Sequence, residues 1–599
     1  MARLDAHRDR HLLVAKGAEF EIRYWPLLVG KVVIPRLSLM SPAVGLQMEE
    51  DGRRTWALGK DTSDKSTVPE IGLVQVDRGT VNFLAPHLAI DMHANIDFDT
   101  SLGAMPLGFE INGTYQKQPL TAQGRTGNVV QLTSTGQLPF PIEIDAAAGQ
   151  TRLKAIGTVA SLDGLDGINA KVNLRGQNLG ALFPLLGIAL PDTSPYAIDV
   201  HVSKQGAVWK GNELKGKLGL SDIAGEMTFD QGQKIPTLNG RLRSSIMDMD
   251  DLGPLIGLPP TARAAASVEG VKAPASVEQV RRAKGTTDKV FPTAKLDLKR
   301  LRAMNADVYY TAERISNVRD IPLDKGSVHV VLKDGLLTLD PLDLGVAGGK
   351  LIGSIRIDSN PTPADIRASL DIRRLQINRL IPKVETMKTS FSNLEGRINL
   401  SGRGNSVAEW LGSASGDVAA LTGRGRFSNL LLEVGGLDGG EIIKFLLGGD
   451  NNVTMRCAAI AFDVTKGVMN GRELVFDTTD TVFHATGSAN LATEKMDFVI
   501  RPEPKDMSFL SLRTPLVIGG SFADPSVGVK VAPLAARALT ALALGAINPL
   551  LALAATIETG PGQDANCQAV LTNARKPAAG APTAGASKAK AAQNSPTTR

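Results

Sequence analysis

Aromatic residues make up only 4% of this 599-residue chain, cysteine occurs twice, and the opening segment MARLDAHRDRHLLVAKGAEF holds no apolar stretch of signal-peptide length. Each scarcity excludes something. Binding a phosphate backbone needs clustered cations, often interleaved with aromatic stacking platforms. Here 66 Lys and Arg are interspersed with 61 Asp and Glu for a net charge of +5, so no nucleic-acid partner is expected. The densest cationic stretch, from Lys576 to Arg599, is rich in Ala, Pro and Ser and reads as a solvated tail. Cys457 and Cys567 form no CxxC and have no histidine at metal-ligand spacing, which excludes a disulfide scaffold and a zinc module. One bridge between them is the alternative in an oxidising compartment. Their contexts, a strand and a segment beyond a long apolar stretch, give no sign that they meet. Two unpaired thiols and a melting temperature indifferent to reductant are therefore expected. The polar amino terminus is neither a signal peptide nor a membrane span and, taken alone, argues for a cytosolic protein.

Catalytic patterns are missing too. None of His7, His11, His87, His93, His201, His329 and His484 lies in HExxH or a short His/Cys pattern, and there is no Walker A loop, GxSxG elbow or GxGxxG after a strand. Gly402-Arg403-Gly404 and Gly423-Arg424-Gly425 read as turn or bulge glycines. Asp248, Asp250 and Asp251 form an acidic cluster without the glycine and distal Glu of a calcium loop, so a solvated turn capping the next helix is expected. No enzyme, cofactor or metal site is expected.

What the chain has in abundance is alternation at period two, punctuated by 61 glycines. Val81 with Phe83, Leu394 with Ile398 and Leu400, and Met496 with Phe498 and Ile500 mark strands. Asp51-Gly52, Asn112-Gly113, Asp334-Gly335, Lys466-Gly467 and Asn470-Gly471 mark turns. Strands at about 8 to 12 residues each are too many for one sandwich, and the chain exceeds the roughly 250 to 300 residues of a single core. A long, mainly β, elongated and twisted antiparallel sheet follows, apolar on one face and polar on the other. Helices are few: Gly180 to Gly187, Leu252 to Gly257, Gly440 to Leu447, and the apolar segment from Ala532 to Ile557. That segment is long enough to span a bilayer, but Arg537, Asn548 and Pro549 favour a buried or interfacial helix. A strand followed by a leucine-centred plug recurs from Val172, Arg241 and Ala368, a weak repeat that suggests stacking. In Gly326 to Asp334, alternation puts Val328, Val330 and Leu332 on the inward face.

At the amino end, Gly30, Val32, Ile34, Leu37, Leu39, Pro42, Asp51, Gly52 and Trp56 carry a pattern that resembles the opening strands of AsmA-family proteins. Pro515, Leu516, Ile518, Gly520, Phe522, Asp524 and Pro525 resemble the family's closing pattern, Asp564-Ala565-Asn566-Cys567 fits it, and the segments around Leu182 and Leu255 resemble its middle region. The resemblance runs from Tyr24 to Leu571. It implies a periplasmic repeating β-groove with an apolar concave face, divided into a polar stub (1–23), an amino-terminal groove (24–271), a linker (272–294), a carboxyl-terminal groove (295–531), an apolar helix and end (532–571) and a tail (572–599). It also implies an inner-membrane anchor, expected upstream of Met1, and a non-enzymatic role in outer-membrane biogenesis. Phospholipid or another acyl lipid, the two membranes and envelope proteins are the implied partners. Val328, Val330 and Leu332 are the candidate lipid-lining residues.

Overall fold

The computed structural model describes residues 12–28, 31–51, 53–55, 70–127, 139–160, 166–251, 253–256, 260–268, 289–316, 322–380, 392–428, 452–505, 515–529 and 562–577. The protein is mainly β, a long mixed sheet with a few short helices. It divides into two compact units: Met1–Gly285 with Asp297–Asn317 and Ser327–Leu337, and Thr286–Leu296 with Val318–Gly326 and Thr338–Arg599.

In the first unit, antiparallel neighbours follow chain order. They run from Arg78–Ala85 through Ile90–Phe98, Leu107–Tyr115, Gln118–Thr126, Phe140–Ala148, Thr151–Val159, Asn169–Gly176, Tyr196–Gln205, Val208–Leu218 and Ser221–Asp230 to Thr237–Ser244. Parallel pairs bracket this run: Ala43–Gln47 beside Arg78–Ala85, and Asn305–Ala312 beside Thr237–Ser244. The largely antiparallel expectation therefore holds, with parallel exceptions. A parallel neighbour needs a crossover of a dozen or more residues, and both of these pairs sit where the connection is that long, as do the parallel pairs Val33–Met40 with Glu70–Val76 and Met247–Asp248 with Ile315–Ser316 outside this sheet. The stretch between Ser244 and Asn305 uses its length for the short helical turns Met249–Asp251 and Gly253–Ile256 and the helix Leu298–Ala303.

In the second unit, Gly349–Asp358, Asp365–Gln376, Asn393–Arg403, Ser415–Thr422, Asn452–Thr465, Val468–Thr478, Thr481–Asn490, Lys495–Pro504, Leu516–Gly520 and Pro525–Val529 pair antiparallel in order. The helix Val407–Ser413 is capped by Ser406 and lies against Asn393–Arg403. A side chain at Gly404 would meet the Trp410 backbone nitrogen at 2.3 Å, so the first of the two lone Gly-Arg-Gly fragments marks a close helix approach.

Two predicted turns stand as turns: Asp334-Gly335 and Lys466-Gly467 have positive φ at both positions, the geometry of a two-residue hairpin. Two do not. Asn112-Gly113 lies inside Leu107–Tyr115, whose hairpin turns instead at Gln116-Lys117, and Asn470-Gly471 lies inside Val468–Thr478 beside a register shift. The predicted Gly180 to Gly187 helix appears as the consecutive turns Leu179–Leu182 and Phe183–Leu186, ended by Gly187 at φ +71°. Asp51-Gly52, Gly440 to Leu447 and Ala532 to Ile557 fall wholly or partly outside the described residues. Among the described residues, no helix is long and apolar enough to cross a membrane.

Candidate functional site

Register converts alternation into two surfaces. Across seven pairings of the first unit, Val81, Ala94, Ile111, Ala122, Ala146, Leu153, Leu174 and Ile198 stand opposite one another in sequence. One residue along each strand the composition inverts: Thr80, Asn95, Glu110, Gln123, Asp145, Lys154, Asn173 and Asp199 form the neighbouring row. Successive side chains on a strand point to opposite faces, so the sheet is apolar on one side and polar on the other.

The apolar side is unevenly covered. Ile198, Tyr196, Leu214 and Ile223 pack against the plug residues Leu179 and Leu182 and are buried. Val81, Ala94, Ile111, Ala146 and Leu153 are only half-buried. The Tyr115 hydroxyl donates to the Leu185 carbonyl at 3.1 Å, although about 19 Å of sheet separates the strand of Tyr115 from the strand that leads into the plug. The plug therefore reaches back across the apolar face.

The polar side carries a cleft of about 870 Å³ lined by Asn95, Asp97, Glu110, Gln123, Arg125, Glu143, Asp145 and Lys154. Two of its cations have partners, with Arg125 3.7 Å from Asp97 and Lys154 2.9 Å from Asp145.

Val328, Val330 and Leu332 lie in the strand Leu323–Lys333. The His329 ring stacks on Tyr309 with centroids 3.9 Å apart, and its Nε2 lies 2.9 Å from Asp307, so these three side chains share a face. Alternation then sets Val328, Val330 and Leu332 on the other face, together with Ala306 and Val308, which pack against the cluster of Phe229, Leu238 and Met304. Leu332 is 6% exposed, while Val328 and Val330 are half-buried.

The second unit repeats the pattern. Leu370, Ile398, Val418 and Phe462 align, beside Ile372, Gly396, Ala420, Ile460 and Leu474, and Ile460 is 51% exposed on that face. Its end is closed by Trp410 and Leu411 of the helix Val407–Ser413, with Phe291 and Phe522.

The opposite face of this unit holds a feature that sequence reasoning missed. The helix Cys567–Arg575 packs Val570 and Ala574 onto Ala419, Leu421, Ala459, Ala461, Val475 and Val482. Cys457 and Cys567 are joined in a disulfide with Cα atoms 5.8 Å apart, which overturns the expectation of two unpaired thiols. The segment after the apolar stretch returns to the sheet because Val570 and Ala574, four apart, present one apolar stripe to a run of alanines. Charge completes the attachment. Fully buried Asp477 is 2.6 Å from Lys505 Nζ and 3.5 Å from Arg456, and both cations also meet Asp564. At the other end of the helix, Arg397 donates to the carbonyls of Arg575 and Lys576, and Arg472 donates to Lys576. Cations at a helix carboxyl end suit both its unpaired carbonyls and its dipole. The Asn566 side chain accepts from the Ala569 amide at 3.1 Å. An Asn566→Ala variant is expected to lose about 1 kcal/mol in denaturant unfolding; an unchanged midpoint would show the cap to be idle.

The acidic cluster also departs from expectation. Asp248 and Asp250 share Arg263, at 2.6 and 3.3 Å, and Asp251 accepts from the backbone nitrogens of Leu220 and Ser221 and from the Ser221 hydroxyl. It is a half-buried brace for a hairpin, not a solvated turn. Burial pushes the Asp251 carboxyl above its ordinary range, against hydrogen bonds that favour the charged form. Because the folded value is the higher one, the stabilisation it contributes is full below the unfolded pKa, about 3.9, and is lost as pH rises through the folded value. An Asp251→Asn variant is expected to lose less stability than wild type between about pH 4 and neutrality, read from parallel urea titrations; identical pH profiles would contradict the assignment.

A sequence profile of the AsmA family matches residues 86–474. The chain is also 33% identical over 483 residues to the AsmA family protein YhjG of Escherichia coli (strain K12), a match that covers 79% of this chain and 69% of the relative. No solved structure matches. The profile alone spans most of the chain and takes in the apolar row from Ala94 to Ile198 together with the strand of Val328, Val330 and Leu332, so this cell-envelope protein belongs to the AsmA family.

Proposed function

We propose that this protein shields the acyl chains of phospholipid along the apolar faces of its sheets, supporting outer-membrane biogenesis from an inner-membrane-anchored position facing the periplasm. One observation carries the reading: the apolar row from Val81 to Leu153 is continuous across six strands and, apart from buried Ala122, half-buried. An ordinary core would bury such a row under a second layer. Acyl chains gain from such a face by the same effect that stabilises a core, about 0.8 kcal/mol per methylene. Headgroups stay in water at the open seam, and Val328, Val330 and Leu332 continue the lining. The disulfide supports an oxidising compartment, because glutathione keeps most cytosolic thiols reduced.

The test is extraction of detergent-free purified protein with organic solvent, followed by mass spectrometry. Phospholipid that co-purifies in stoichiometric amounts is the expected result. A lipid-free protein that captures only envelope proteins would replace this reading with a scaffolding role.

A further inference from the structure

The strands Gly17–Glu21 and Val33–Met40 pair antiparallel, with Glu21 opposite Arg36, and the tip of this hairpin, described over residues 22–28 and 31–32, bears the one-turn helix Tyr24–Leu27. The helix buries none of its residues. Tyr24 is 81% exposed, Trp25 82% and Leu28 77%, and Leu27 is exposed beside them. The backbone holds them out: the Arg23 amide donates to Val33, the Leu28 amide to Trp25, and the Lys31 amide to Pro26.

We propose that this tip is a membrane-docking element that seats in the headgroup layer of an anionic bilayer. Two independent features select that partner. A Trp and a Tyr beside two leucines give an apolar body with polar edges, which suits the boundary between acyl chains and water. Exposed Arg23 and Lys31 flank the apolar group in sequence on both sides, and long basic side chains in that position can reach lipid phosphates. Of the nearby acids, Glu21 is paired with Arg36 at 3.8 Å and Glu19 is exposed on the strand, away from the tip. The inference is separate from lipid shielding, since it concerns the attachment of the protein to a surface and uses none of the groove residues.

The test floats the full chain with vesicles of mixed phosphatidylethanolamine and phosphatidylglycerol, or of phosphatidylcholine alone. Wild type is expected to float with the anionic vesicles, with Trp25 fluorescence shifted to the blue. Trp25→Ser combined with Leu28→Ser is expected to bind about tenfold or more weakly with unchanged melting, and Arg23→Glu with Lys31→Glu to lose the preference for anionic vesicles. The tip variants keep any co-purifying phospholipid, whereas Val330→Asp keeps flotation, so the two readings fail separately. Flotation of the Trp25 and Leu28 double variant at the wild-type level would overturn the proposal. So would a wild type that ignores both vesicles and instead self-associates through the tip.

Discussion

Reduction is expected to lower the melting temperature of the second unit by roughly 5 to 15 °C. The bond ties Cys457, in the middle of the sheet, to Cys567 across a sequence separation of 110 residues. In the chain-entropy account, closing a loop of about 100 residues restricts the unfolded chain by up to roughly 4.7 kcal/mol. Measured values usually fall below that ceiling, so about 2 to 4 kcal/mol is the working figure. In a unit of this size each kcal/mol moves the midpoint by about 2 to 4 °C. The packing of the helix Cys567–Arg575 on Ala459 and Ala461 and the contacts of Arg397 and Arg472 to the carbonyls at its end do not involve the sulfur atoms. The effect therefore lies in the unfolded chain more than in lost native contacts. Paired Cys457→Ser and Cys567→Ser substitutions should reproduce the lower midpoint and abolish its response to reductant. Because Cys457 is fully buried, the reductant must be equilibrated near the onset of melting. Two titratable thiols in oxidised, natively purified protein would refute the pairing, as would identical melting with and without reductant.

The faces of the sheet were legible in the sequence because alternation is a local property: Val81 and Phe83, or Ile398 and Leu400, announce their side without any knowledge of the neighbouring strand. The plug at Leu179–Leu186 was legible for a similar reason, since a leucine cluster ended by a glycine closes within one short segment. Turn dipeptides were less faithful. Asp334-Gly335 turns, but Asn112-Gly113 continues its strand, because the pairing of Ile111 with Ala122 and of Tyr115 with Gln118 fixes the reversal at Gln116-Lys117. The parallel pairing of Asn305–Ala312 with Thr237–Ser244 and the meeting of Cys457 with Cys567 are long-range facts. Neither leaves a local mark. The return of the helix Cys567–Arg575 rests on a two-residue stripe, Val570 and Ala574, too narrow to separate from an alanine-rich tail.

The same alternation leads to the sharpest functional test. A carboxylate buried without a partner costs several kcal/mol, and a site that closes over protein cannot escape that cost. Leu332, at 6% exposure, is such a site, and Leu332→Asp is expected to unfold the protein or lower its midpoint severely. Val330 lies two residues away on the same face but is half-buried. An aspartate there reaches water once acyl chains are excluded, so Val330→Asp is expected to melt within a few degrees of wild type. The same charge makes the face hostile to hydrocarbon, because an acyl chain laid over it would have to desolvate the carboxylate. Bound phospholipid should therefore fall sharply, and the variant should fail to restore the outer-membrane barrier in a deletion strain. Val328→Asp, on the same face and also half-buried, should behave alike and guards against a local folding defect at position 330. A Val330→Asp protein with wild-type melting, unchanged lipid content and full complementation would exclude this face as the lipid-bearing surface.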